Sequence, residues 1–405
     1  MLTTKILVAS VIAVILCSSL VITREGSPKQ VDKRLAAAAS KFSFKLYNQI
    51  RKEQDADKNT FVSPASVMLA LAMTSNGADG TTREAMARTL EINGMGLEEV
   101  NLAFAGLKSA LAPNDPKIQL RIANSLWARN GIKLKPSFVA RNKQHYAAEL
   151  ATLDFANPAA KDTINAWVSK NTEGKIQKIV DHINPDDILF LINAIYFKGQ
   201  WQIAFRKEDT KPDVFRLAGG QRKDLPMMSQ SGSYLYYKGN GFQAVALPYG
   251  KGAMSMYVFL PDEQSSLDQF EQDLTSANWD LWMNSFRRTP GELKLPRFRV
   301  EWESRLNDVL KAIGMEEAFD PARANFSQMA EVSGNKIFIS DVRHKSWCEV
   351  NEEGTVAAAV TSVTATLTSA PPQPFSMKVD RPFFFAIRDN QSGVLLFMGS
   401  VQDPG

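Results

Sequence analysis

Three histidines (His145, His182 and His344) and two cysteines (Cys17 and Cys348) are the scarce reactive side chains of this sequence. Each histidine could act as a general base near neutral pH. None stands in a context that supplies the rest of a catalytic group, so all three read as structural. There is no G-x-S-x-G turn to expose a nucleophilic serine. No H-E-x-x-H, C-x-x-C or EF-hand spacing is present, and no Walker loop or G-x-G-x-x-G turn offers a phosphate cradle. Cys348 lies in a strand-like run and reads as a small buried hydrophobe. Cys17 lies in an N-terminal apolar segment, whose removal would leave Cys348 without an intramolecular disulfide partner. The sequence calls for no cofactor and no metal. A long chain without a catalytic signature points to a binding or conformational function and not to an enzyme.

The segment that does carry chemistry is 352–370, EEGTVAAAVTSVTATLTSA. After Gly354 it runs sixteen residues without a charge, proline or glycine. A surface loop must turn and stay wet, and is normally rich in those residues. This one has the composition of a β-strand. At period two, one face carries Thr355, Ala357, Ala359, Thr361, Val363, Ala365 and Leu367, small and mostly apolar. The other carries Val356, Ala358, Val360, Ser362, Thr364 and Thr366 and is more hydroxylated. The first face suits burial and the second exposure. The run would span roughly 43 Å at about 3.3 Å per residue, long for a globular strand. SWCEV precedes it and PPQP follows it. It is a strand where a loop should be.

The elements that must hold such a segment follow from pattern. Residues 35–54 read as a helix, with Leu35, Ala39, Phe42, Leu46 and Ile50 at helical spacing. Phe61 and Val62 form a short strand, and Ser63-Pro64 opens a helix through Met73 as N-cap and first-turn proline. Further helices are predicted over 81–90, 161–180 and 303–313. Strands are predicted over 117–128, 188–197 and 293–301, with hairpins at 242–260 and 383–400. Helices first and then mixed strands and helices indicate an α+β fold with large antiparallel sheets.

The chain has 405 residues, 44% hydrophobic and 22% charged, with a net charge of +4. A core of that size needs no disulfide or metal support. The charges are interspersed, which argues against nucleic acid and against a strong heparin site. Residues 6–22, ILVASVIAVILCSSLVI, resemble a secretory signal with Cys17-Ser18-Ser19 as a small-residue cleavage site. A retained anchor is the alternative, and Leu16 argues against lipidation at Cys17. The organisation expected is a signal or anchor over 1–22, a flexible leader over 23–34 and one domain over 35–405. Asn325-Phe326-Ser327 and Asn390-Gln391-Ser392 are glycosylation sequons.

Several segments together resemble the serpin family. They are NTFVSPASV (59–67), INAWVSKNTEGKI (164–176), NAIYFKGQW (193–201) followed by Phe205, ALPYG (246–250) and LPRFRVE (295–301). HKSWCEVNEEGTVAAA (344–359), DRPFFFAIRD (380–389) and LLFMGSVQDP (395–404) complete the set, in the family's order. The resemblance implies a serpin fold, with three β-sheets, about nine helices and an exposed reactive-centre loop, and a monomeric suicide inhibitor of serine proteases. The strand-like segment becomes that loop. A target protease cuts it, and it inserts into the main sheet while the covalent acyl-protease is carried along and stalled.

Glu352, Glu353, Gly354, Thr355, Val356, Ala357, Ala358 and Ala359 match the family's hinge. Val356 departs from a common acidic residue, and Val360 from a smaller one. Ser63, Ser66, Asn193 and His344 match the polar cluster under the opening sheet. Trp201, Arg297 and Glu352 match the upper mouth of the sheet, with Arg297 where lysine is common. The family's loop length puts the scissile bond between Thr368 and Ser369, which suits elastase-like proteases. A register one residue shorter puts Leu367 before the cut, which suits chymotrypsin- or subtilisin-like ones. A non-inhibitory carrier or chaperone, and an inhibitor of papain-like cysteine proteases, are the alternative functions.

Overall fold

A computed structural model of the chain describes residues 31–112, 114–331, 337–355 and 374–405. The signal segment, most of the leader, the reactive bond (Leu367, Thr368, Ser369) and hinge residues Val356, Ala357, Ala358 and Ala359 lie outside the described residues.

Among the described residues there are nine α-helices. They are α1 (Lys33–Glu53), α2 (Pro64–Ser75), α3 (Gly80–Thr89), α4 (Leu97–Leu111), α5 (Pro136–Tyr146), α6 (Ala160–Asn171), α7 (Leu267–Gln272), α8 (Ser276–Ser285) and α9 (Asn307–Leu310). The strands of the first half are β1 (Thr60–Val62), β2 (Ile118–Arg129), β3 (Lys133–Leu134), β4 (Glu149–Leu153), β5 (Leu189–Gln200), β6 (Lys211–Arg216), β7 (Arg222–Lys238), β8 (Phe242–Tyr249) and β9 (Met254–Pro261). Those of the second half are β10 (Arg287–Pro296), β11 (Phe298–Arg305), β12 (Ala330–Glu331), β13 (Asp341–Val350), β14 (Gly354–Thr355), β15 (Phe375–Lys378), β16 (Phe383–Asp389) and β17 (Leu395–Val401).

These strands form three sheets among the described residues. The largest runs β1-β17-β16-β9-β8-β7-β10-β15, with β6 also on β7. The main sheet runs β11-β13-β5-β2-β4, with β14 also on β5. A two-stranded sheet joins β12 and β3. α2 passes through the core with every residue buried, as its all-round apolar sequence demands. The rings of Phe61 and Phe397, from β1 and β17, stack at 4.8 Å beside it. Cys348 is buried, as expected of a small hydrophobe in a strand.

The expected hairpins form as β8–β9 and β16–β17. The Ser63 hydroxyl caps α2 by accepting from the Ser66 amide. Four expectations need correction. The first helix begins at Lys33, inside the segment read as leader. The helix expected over 161–180 ends at Asn171. Glu173 and Gly174 both take positive φ there, and the apolar residues beyond pack as an irregular strap. The strand expected over 293–301 is two strands in different sheets, β10 paired with β7 and β11 with β13. The helix expected over 303–313 starts only at Asn307, because β11 runs on to Arg305. A sequon is also engaged in the fold: the Asn390 amide donates to the Gly252 carbonyl and the Ser255 hydroxyl.

Candidate functional site

β13 and β5 are the central parallel pair of the main sheet. They are in register from Asp341 opposite Phe190 to Trp347 opposite Tyr196, and part above that point. Into the opening turns the chain that follows β13. Gly354 and Thr355 pair antiparallel with Gln200 and Gly199 of β5. Thr355 is fully buried, and its hydroxyl shares a 2.8 Å hydrogen bond with the Tyr249 hydroxyl. Gly354 has φ +141, and a Cβ there would lie 2.1 Å from the Gly199 carbonyl oxygen, so only glycine can make this approach.

The turn before it is held from three sides. The Trp201 indole donates to the Asn351 carbonyl at 2.9 Å, and its ring stacks on Tyr249 at 4.5 Å. The backbone amides of Trp201 and Phe205 donate to the carbonyls of Glu353 and Glu352. The Arg297 Nε lies 2.8 and 2.9 Å from the two Glu352 carboxylate oxygens. Thr210 also donates to that carboxylate, and Lys207 donates to Glu353 at 2.9 Å. Burial alone would raise the Glu352 carboxyl, but the hydrogen bonds from Arg297 and Thr210 outweigh it and hold it below the ordinary value.

Lower in the same seam, under the paired part of β5 and β13, lies a buried polar cluster. The Ser63 amide donates to His344 Nε2 at 3.1 Å. That bond requires Nδ1 to carry the proton and to donate to the Asn193 side-chain oxygen. The Asn193 amide donates in turn to the Ser66 hydroxyl and to the Asn124 side-chain oxygen. The Ser346 hydroxyl donates to the Phe61 carbonyl. The seam is thus pinned at its centre by side chains from α2, β2, β5 and β13 that could exchange partners if a strand entered between β5 and β13.

The family model for serpins (serine protease inhibitor) matches residues 37–404. The chain is a serpin. Human leukocyte elastase inhibitor is 35% identical over 384 residues, covering 92% of this chain and 100% of that protein. The crystal structure of tengpin, a thermophilic serpin in its native state, superposes with a TM-score of 0.85 at 32% identity, covering 93% of this chain and 96% of that one. Thyroxine-binding globulin, solved with thyroxine, gives a TM-score of 0.83 at 28% identity over 91% of this chain and 99% of that one.

In this serpin the structure brings Ser63, Ser66, Asn193 and His344 together in one cluster, and Trp201, Arg297 and Glu352 together at the mouth. Several residues beside them escaped the sequence reading. Asn124 sits directly opposite Asn193 in the β2–β5 register, and its signal was a polar residue inside an apolar strand. Tyr249 stands in the ALPYG segment, but nothing local says that its hydroxyl meets Thr355. Thr210 and Lys207 reach the hinge from the stretch between β5 and β6, and no local pattern marks them.

Two expected results follow from this geometry. Burial pushes the His344 imidazole from its ordinary 6.5 down to about 3. It is therefore neutral in the folded protein, whereas an unfolded chain takes up its proton below about pH 6.5. Its contribution to stability is complete above that pH and is lost as the pH falls towards about 3, approaching about 1.4 kcal/mol per pH unit. The midpoint of thermal unfolding, followed from about pH 7 to about pH 4, should fall more steeply than that of His344→Gln; parallel curves would remove His344 as the cause. Gly354→Ala should add about 1–3 kcal/mol of strain to the seated hinge. The variant's loop should then be cut several-fold faster by a non-target metalloprotease, and an unchanged rate would mean that the seat tolerates a side chain.

Proposed function

We propose that this serpin inhibits serine endopeptidases as a suicide substrate and that its loop is cut between Thr368 and Ser369. The observation that carries the reading is the seated hinge. Gly354 and Thr355 already occupy the first positions of a strand between β5 and β13, and the small residues from Ala357 to Ala359 could follow them without steric cost. In the mechanism proposed, the serine oxygen of the protease attacks the Thr368 carbonyl. The bond to the Ser369 nitrogen breaks, Ser369 leaves as a new amino terminus, and Thr368 remains as an ester on the protease. The freed strand then extends the antiparallel pairing begun at Thr355. Drawing the protease along the sheet distorts its active site before water can hydrolyse the ester.

A threonine before the cut favours elastase-like proteases, whose pocket is small. Leu367 in that position would favour chymotrypsin- or subtilisin-like ones. The apolar run over 6–22 supports action outside the cytoplasm. The test is incubation with elastase, chymotrypsin, subtilisin and trypsin, followed by denaturing electrophoresis and mass spectrometry of the released fragment. An SDS-stable complex with elastase and a fragment beginning at Ser369 are expected. A fragment beginning at Thr368 moves the cut to Leu367. Complete loop turnover without any complex rejects trapping.

A further inference from the structure

Of the large hydrophobic side chains that stand exposed among the described residues, two, Ile203 at 54% and Leu235 at 38%, line one groove of about 540 Å³. It lies beside the mouth of the main sheet, between the stretch after β5, the middle of β7 around Gly232, the end of β8 and the start of β10. Its volume is that of a small-molecule site. Trp201, Leu247 and Pro248 extend the apolar wall. Arg288 is the one cationic residue in the lining, and no carboxylate lines it. The Arg288 guanidinium donates only a long 3.5 Å hydrogen bond, to the Ser233 carbonyl. Apolar walls with a single cation at the edge complement a ligand of the same construction and opposite sign.

We propose that this groove binds an apolar monocarboxylate, a medium-chain alkyl or aryl acid, with its chain along Trp201, Ile203 and Leu235 and its carboxylate on Arg288. The ligand reaches the hinge through Trp201. Trp201 lines the groove, its ring stacks on Tyr249 and its indole holds the Asn351 carbonyl, while Tyr249 holds Thr355. Occupancy braces Trp201 and steadies the seat of Gly354 and Thr355.

The test is titration calorimetry of the uncut, full-length protein with sodium decanoate, with decylammonium as the opposite-charge control. One saturable decanoate site is expected. Arg288→Gln should weaken it at least tenfold and Ile203→Ser several-fold. Leu281→Ser, an exposed apolar residue on α8, should leave it unchanged. In the same samples decanoate should slow amide exchange of residues 351–355 several-fold in the parent and not in Arg288→Gln. No saturable binding, equal binding of decylammonium, or equal loss in Leu281→Ser and Arg288→Gln overturns the site. A groove covered by residues 1–30 or by a second copy of the chain would give the first of these results. Unchanged exchange overturns the link to the hinge. No protease is present, so failure here leaves trapping intact, and failure of trapping leaves this site intact.

Discussion

A T355R variant is expected to be cut by the same protease as the parent and then to release it. Thr355 is fully buried between β5 and the Tyr249 hydroxyl. Cys348, whose thiol burial pushes well above its ordinary value, underlines how little charge this site would accept. The groups that meet the Thr355 side chain, the Tyr249 hydroxyl and the Cys348 thiol, are uncharged, and an unpaired buried charge costs about 3–5 kcal/mol. The guanidinium would stay in water and take the hinge out of the sheet with it. Insertion would then lose its first strand position, and hydrolysis of the acyl-enzyme would win the race. The number of inhibitor molecules consumed per protease trapped should rise at least tenfold, with cut inhibitor in place of SDS-stable complex. Thr355→Ser keeps the hydroxyl and the size, and should behave as the parent. Complexes formed by T355R at parental stoichiometry would mean that the hinge does not enter the sheet at this position.

Cutting the loop of the parent should raise its melting temperature on the order of 10 °C, the shift that about 10 kcal/mol produces in a chain of this length. The physical source is the exchange of ladders. The intact sheet has one parallel β5–β13 ladder. Insertion would replace it with two antiparallel ladders, the first continuing the pairing of Thr355 with Gly199. The net gain is on the order of ten backbone hydrogen bonds at about 1 kcal/mol each. Burial of the small apolar face of the loop acts in the same direction. Calorimetry of the protein before and after a single cut with a non-target protease measures the shift. A nicked protein that melts with the intact one would mean that the strand remains outside.

The two results probe one arrangement from opposite ends, since the first forbids the initial step and the second reads its completion. The arrangement also explains why the ion pair at the mouth is placed on the turn and not on the strand. Arg297 fixes Glu352, the residue two before the seated glycine. The Thr355 side chain is held by an uncharged hydroxyl pair, a contact that a passing strand can exchange.

The sequence by itself determined the elements whose cause is local. The Ser63-Pro64 helix start, the β8–β9 and β16–β17 hairpins and the buried Cys348 follow from caps, turns and alternation that act within a few residues. The family segments also carried Ser63, Ser66, Asn193 and His344 to one cluster, and Trp201, Arg297 and Glu352 to another. Only the tertiary structure decided what depends on partners far along the chain. Pro296 beside Arg297 is a local mark of a break, but it does not say which sheet each half joins. The division into β10 and β11 is set by β7 on one side and β13 on the other. Ile176 continues the helical spacing of α6, yet the positive φ of Glu173 and Gly174 ends the helix before it. Thr355 carries no sign that it is seated before any cut, because that depends on Gly199 and Tyr249, more than a hundred residues away in the chain. Hydrogen-bond propensity and periodicity act between near neighbours, whereas the choice of a sheet partner is made by whichever distant edge the folded chain brings alongside.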